Sequence, residues 1–391
     1  MRFSLRAWFV LAAALGSPVW GTLSPGCPFC GVVDVPLAQR RDAAESVAIG
    51  EAAGEIDPAT GGKLAQPFRI QQVVRPPTGF DARVGALVPA EVAGPVVGTA
   101  LLLGTAVAPG TALRWSAIPA DETLLGYALA APPGATAAAT RLEWFASRLW
   151  HPDPRIAADA LAEFAAAPFA AVVAAAGALD ANRLGAAMSD PGVSQGQRGF
   201  FGLALGIVAA TTASPEERAA CLAALHAAIE APADDFRAGF AGILGGELVA
   251  DGEQGLAYLR GRGFLSPAAR PIDQRHLLSA LRFAWENLAE ELPPSAVAAA
   301  TLVLVESPAV AAEAIVDLAR YGAWDGLENV AAIWHTAAAD DPQLRRAVAG
   351  YLLACPLQEA REQIAAISRQ DPQRWAEALS AAALPRAETL P

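Results

Sequence analysis

The chain has 391 residues, 54% hydrophobic and 17% charged, which gives it ample material for a folded core and none of the signature of a disordered chain. Its net charge is −12 and Lys63 is its single lysine. An acidic surface without a basic cluster repels phosphate, so nucleic acid and anionic lipid are excluded as expected partners.

Residues 1–21 read as a secretory signal peptide. Arg2 and Arg6 open it, Ala7 to Gly16 is unbroken apolar sequence, and Val19-Trp20-Gly21 ends in the small residue a signal peptidase reads. The run is too short to span a bilayer. An exported protein is therefore expected, in the periplasm, cell envelope or extracellular space, with retention of the segment as an anchor as the alternative. Its removal would make the chain two charges more acidic.

Cys27-Pro28-Phe29-Cys30 follows at once. It has the spacing of the Cys-Pro-aromatic-Cys centre of glutaredoxin-like proteins, whose reactive thiolate needs a preceding strand and a helix N-terminus. No strand precedes it here, so the expected role is a structural disulfide or an N-terminal tether, with a redox role as the alternative. Haem attachment would need histidine at position 31, which is glycine, and zinc would need two further ligands at suitable spacing. Neither a metal nor a cofactor is expected. Cys221 and Cys355 complete the cysteine set.

Residues 22–133 are expected to form a small β-domain. Ser46–Glu51 alternates polar and apolar residues, and Gly54 to Gly62 carries turn chemistry. Phe68 to Val74 alternates again, with Phe68, Ile70 and Val74 assigned to one face. Val84–Val88, Thr99–Val107 and Leu113–Ile118 complete five or six short strands, which suit a small antiparallel barrel or sandwich, preferably OB-like. A short helix is expected over Asp121–Ala130, inside a junction punctuated by Pro119, Pro132, Pro133 and Gly134.

Residues 134–391 read as helical. Ser-Pro or Asp-Pro pairs start at 153, 190, 214, 266, 307, 341 and 371. Their side-chain oxygens suit a helix N-cap, and proline suits the first helical position. Their irregular spacing, close to the length of two-helix units, suggests a HEAT-like helical-repeat domain. Phe164 to Leu179 is uncharged but broken by Pro168, and reads as a buried helix pair; no membrane span is expected beyond the signal segment. Over Ile272–Leu292, Leu277, Leu278, Leu281, Trp285, Leu288 and Leu292 fall on one helical face. The fold class expected overall is α+β multidomain.

Catalytic patterns are weak. Gly192-Val193-Ser194-Gln195-Gly196 matches a hydrolase nucleophile elbow, but it follows Asp190-Pro191 between helices where a strand-to-helix turn is required. His151, His226, His276 and His335 sit in separate units without ligand spacing. Mid-helix glycine costs about 1 kcal/mol relative to alanine, so Gly202/Gly206 and Gly242/Gly246 are read as a close helix–helix contact. Arg198, Asp234, Asp235 and Arg237 form a polar cluster at helix ends and are the candidate ligand-binding residues. No catalytic residue is assigned.

Several of these segments resemble, as a set, a group of uncharacterised exported bacterial proteins. They are Cys27-Pro28-Phe29-Cys30-Gly31, Pro36-Leu37-Ala38-Gln39, Ala43–Ile49, Leu113-Arg114-Trp115-Ser116-Ala117-Ile118-Pro119 and Leu124-Leu125-Gly126-Tyr127. The resemblance covers about residues 27–130. It implies a small β-domain similar in layout to netrin-like or OB folds, and no activity or site residue. Netrin-like inhibitor modules usually begin Cys-x-Cys, which this chain lacks, so protease inhibition does not carry over. The expected function is that of an exported, non-enzymatic interaction or scaffold protein with a protein partner. The alternatives are a thiol–disulfide protein using Cys27 and Cys30, or an enzyme whose site converges only in three dimensions in the helical domain.

Overall fold

A computed structural model describes Phe29 and residues 34–60, 63–77, 82–106, 113–190, 192–232, 236–336 and 341–382. The signal segment, Cys27, Cys30, Asp234 and Asp235 lie outside the described residues. The chain is α+β, with a small closed β-barrel near its N-terminus and sixteen α-helices among the described residues.

Helix α1 (Leu37–Ala43) leads into strands β1 (Ser46–Ala52), β2 (Asp57–Thr60), β3 (Lys63–Arg75), β4 (Leu87–Val92), β5 (Thr99–Ala106) and β6 (Leu113–Pro119). The order β1–β5–β6–β4–β3, with β3 pairing back onto β1, closes a five-stranded barrel, and β2 adds to β3 outside the ring. The β4–β6 ladder is parallel and the others are antiparallel. Ala48, Phe68, Ile70, Ala90, Leu102 and Trp115 fill the interior.

The inward face of β3 changes partway along. Its register against β1 shifts twice, so that Gln71 and Val74 have no partner of their own. Each bulge resets the alternation by one residue. Val73 therefore packs toward the barrel core, while Val74, expected inside with Phe68 and Ile70, is exposed. Strand β4 begins later than expected because Pro89 and Glu91 obscure its pattern. Pro67 and Pro89 face each other across the β3–β4 ladder, a position where neither residue is asked for an N–H.

Helix α2 (Glu122–Ala130) follows, capped by the Asp121 carboxylate on the Leu124 N–H at 2.9 Å. The remaining helices are α3 (Ala138–Ala146), α4 (Pro154–Ala166), α5 (Phe169–Ala174), α6 (Ala181–Met188), α7 (Gln195–Thr211), α8 (Pro215–Glu230) and α9 (Phe240–Gly261). Then come α10 (Pro271–Asn287), α11 (Pro294–Leu304), α12 (Ala311–Tyr321), α13 (Leu327–Ile333), α14 (Pro342–Ala354), α15 (Gln358–Gln370) and α16 (Pro372–Ala382). Among the described residues no helix is long and apolar enough to cross a membrane.

Four of the seven Ser/Asp-Pro pairs open helices. Asp153, Ser214 and Asp341 cap α4, α8 and α14, and Asp371-Pro372 begins α16. At the other three the side chain is engaged elsewhere. Asp190 accepts the Gly192 N–H, Ser266 accepts the Ala268 N–H, and the buried Ser307 hydroxyl accepts from Gln274. These residues make turns, which the same short polar side chains favour equally.

Helices α7 and α9 cross through their glycines. A methyl group on Gly206 would lie 2.0 Å from the Gly246 carbonyl oxygen, one on Gly246 2.2 Å from that of Gly202, and one on Gly242 2.0 Å from that of Gly199. No side chain fits there, so backbone meets backbone. Helix α9 also breaks at Gly252, whose φ of 52° suits glycine and where a methyl group would meet the Glu291 carbonyl at 2.4 Å. Arg218 caps the first half of α9, donating to the Ala250 carbonyl and the Asp251 carboxylate, each at 2.8 Å.

The outer face of the barrel is not free. Val47, Leu101 and Leu103, together with Phe29, Leu37 and Leu124, belong to the same buried apolar cluster as the helices from α3 onward. Arg41 of α1 donates to the carbonyls of Ala128 and Ala131 at 2.8 and 2.7 Å, locking α1 to the end of α2.

Candidate functional site

A cleft of about 1240 Å³ opens among the described residues. Its walls come from α1 and the residues before it, the end of β6, the first half of α4, the N-termini of α7 and α9, and one face of α10. It lies where the barrel side of the molecule meets the helices.

Asp159 is the most constrained polar group on its wall. The Tyr127 hydroxyl donates to one carboxylate oxygen and the Leu37 N–H to the other, both at 2.7 Å. Burial pushes its carboxyl above the ordinary range, against those two hydrogen bonds and the charge of Arg40. Burial, then the neighbouring Asp159, pushes the Tyr127 phenol up strongly. Tyr127 therefore stays a hydroxyl donor throughout the physiological range.

One turn along α4, Glu163 pairs with Arg141 of α3 at 2.5 Å and is almost fully buried. Burial pushes it up to about 7, with Arg141 opposing, and its Oε1 has no hydrogen-bond partner. At the mouth, Arg155 bridges Asp121 and Asp153. The Arg155 hydrogen bond draws the Asp153 carboxyl down to about 2.

Across the cleft, His276 of α10 has its Nε2 2.8 Å from the Phe236 carbonyl. That bond requires the proton on Nε2 and leaves Nδ1 as an acceptor in the neutral ring. Ser279 lies one turn further along α10, on the same wall. The Gly192–Gly196 segment lies beside it as the entry to α7. Ser194 is the N-cap, accepting from the Gln197 N–H at 3.4 Å while the Gln197 side chain accepts from the Ser194 N–H at 3.1 Å. Its hydroxyl is thus spent on a capping box.

The structure places the two described members of the expected polar cluster in the first turn of α7, for Arg198, and in the loop between α8 and α9, for Arg237. Arg198 donates to the carbonyls of Asp190, Val193 and Ala238 at 3.1 to 3.5 Å. Arg237 lies over the Phe240 ring at 3.4 Å, donates to the Ile229 carbonyl at 2.7 Å and pairs with Asp273 at 3.6 Å. The Arg198 guanidinium is bound to carbonyls of the loops before α7 and α9 and that of Arg237 to the end of α8, and neither lines the cleft.

Residues that sequence reasoning passed over are Phe29 as a packing group, Tyr127, Asp159, Glu163 and Glu247. The last three shared one signal, an acid set among alanine, glycine and leucine in a helix. Glu247 is the sole charged residue between Phe240 and Ala250. Among the described residues no group of three or more His, Cys, Asp or Glu side chains is arranged to hold a metal ion. No protein family, curated protein or solved structure matches the chain.

Proposed function

We propose that this is an exported, non-enzymatic interaction protein and that the cleft takes an extended segment of a partner polypeptide. The observation that carries this reading is the cleft itself. At about 1240 Å³ it exceeds the range of roughly 300–1,000 Å³ usual for small-molecule sites. Its lining mixes apolar surface from Leu37, Ile118, Leu124 and Leu161 with polar groups able to meet a peptide backbone. Gln195 and Ser279 offer both donors and acceptors, and Asp159 offers an acceptor.

On this reading the barrel is OB-like and the helices form a HEAT-like stack. The ring order with parallel β4 and β6 supports the first. The second is supported by the way α7 to α11 each pack on the next helix along the chain, with α14 on α12 and α16 on α14. Export is supported by the order basic, apolar, small over residues 1–21.

The test is selection of phage-displayed peptides on the immobilised protein, repeated on the Ala158→Trp variant. Ala158 is exposed on the cleft wall, so a tryptophan there obstructs the cleft without entering the core. Peptides enriched on the native protein and lost on the variant are the expected result. Enrichment unaffected by Ala158→Trp, or none on either protein, overturns the reading.

A further inference from the structure

Two glycines on crossing helices have the same residue in the space their side chains would need. A methyl group on Gly199 of α7 would lie 2.7 Å from the Phe29 carbonyl oxygen, and one on Gly245 of α9 would lie 2.8 Å from the Phe29 ring. The α7–α9 crossing accounts for Gly242 and Gly246, but Gly245 faces away from it, toward Phe29 and Phe283. Its missing side chain is explained by the ring alone. That ring is buried, with its centroid 5.2 Å from that of Phe283, which in turn meets Phe169 edge-on at 5.1 Å. Phe29 also forms part of the cleft lining, so the notch opens directly into the cleft.

We propose that this notch is a binding site for the aromatic side chain of an extended chain segment and that Phe29 is its built-in occupant. An aromatic residue on a partner segment entering the cleft then takes the place of Phe29. Only this last step rests on the cleft reading above. The chemistry is that of an apolar hole with aromatic walls: emptied, it stays dry and accepts a ring of matching size.

The experiment uses the full chain carrying Phe29→Ala and a synthetic peptide of residues 25–33 with serine in place of both cysteines. Calorimetric titration is expected to give binding at least about tenfold tighter to the variant than to the native protein, a difference of ~1.4 kcal/mol. Alanine in place of phenylalanine in the peptide, or Gly245→Leu added to the variant, should abolish it. A folded Phe29→Ala protein that ignores the peptide, or binding that survives Gly245→Leu, overturns the proposal.

Should Phe29→Ala fail to fold, Gly245→Ala decides by melting temperature. It should lower the midpoint in the native protein and leave it unchanged or raise it beside Phe29→Val, where the ring is gone. An equal loss in both backgrounds overturns the proposal.

Phage selection separates the two readings. Cleft-dependent peptides that carry an aromatic residue and bind Phe29→Ala more tightly support the exchange. Cleft-dependent peptides without aromatic preference overturn the exchange and leave the cleft reading standing. A notch that takes the 25–33 peptide while the cleft selects none overturns the cleft reading and leaves the notch in place.

Discussion

Glu247 is fully buried in the middle of α9, and its Oε1 lies 3.1 Å from Nε2 of His226 on α8. The imidazole stacks on Tyr258 at 4.0 Å, and Glu247 Oε2 has no partner. Burial raises the Glu247 carboxyl above its ordinary value, with the His226 hydrogen bond and charge opposing.

His226→Phe keeps the stack and removes the hydrogen bond from His226 to that carboxyl. An acid whose folded value is raised contributes stability that is present at low pH and lost as pH rises through that value. Without His226 the value climbs further. The variant should lose ~1–3 kcal/mol relative to the native protein at pH 8 and less at pH 5. Urea unfolding at the two pH values measures it, and a gap independent of pH would contradict the pairing.

Glu163 gives a second pH test on α4. Its folded value of about 7, against 4.5 for the free side chain, defines a window from about 4.5 to 7 in which the native protein loses stability as pH rises. Glu163→Gln stays neutral throughout. The stability difference between the two proteins should shift toward the variant by on the order of 2 kcal/mol between pH 4.5 and pH 8. No shift would mean that the Arg141 charge holds Glu163 at an ordinary value.

The glycines separate into two classes that alanine should distinguish. Gly202→Ala places a methyl group 2.7 Å from the Ile243 Cα, so it should destabilise by ~1–3 kcal/mol through overpacking. Gly350 is exposed on α14 with nothing within 4 Å of a methyl group, and Gly350→Ala should stabilise by up to ~1 kcal/mol. Melting of the two single variants against the native protein checks both signs.

Residues 134–391 expressed alone should be helical by far-UV circular dichroism but melt below the chain beginning at residue 22. The fragment lacks Leu37, Val47, Leu101, Leu103 and Leu124, which share its apolar core. It also exposes the half-buried Asp159 carboxyl without its Tyr127 and Leu37 donors. A melting temperature equal to that of the longer chain would show that the barrel side contributes nothing to the helical core.

Protein purified from its native host should begin near residue 22. Intact mass and N-terminal sequencing decide this, and a product still starting at Met1 would count against cleavage of the signal segment.

What could be read from the sequence depended on how local its cause was. Alternation located β1, and short apolar runs between turn residues located β5 and β6, because both signals lie in neighbouring residues. The bulges at Gln71 and Val74 hid the true inward face of β3, since nothing in the residues themselves marks an unpaired position. Asp153 and Asp190 carry the same Asp-Pro signal, yet one caps a helix and the other turns the chain back onto Gly192. The glycine crossing was legible in outline, because Gly202, Gly206, Gly242 and Gly246 each cost helix stability with no local return. The cleft was not, because its residues come from segments as far apart as Leu37 and Ser279 and meet only through tertiary packing. Asp234 and Asp235 lie outside the described residues.

The position of Phe29 bears on the order in which this chain settles. Synthesis runs from the N-terminus, yet the notch that holds Phe29 is assembled from Gly199, Gly245 and Phe283. Contact between residues 29 and 283 closes a long loop, and such contacts form slowly because their entropy is lost before any packing compensates it. The first described residue of the chain therefore reaches its native seat only after α10 has been made, and any state that precedes this contact has an undocked aromatic side chain and an open notch. Those are the species in which one copy can seat its Phe29 in another, so refolding at high concentration is where exchanged dimers should first be seen.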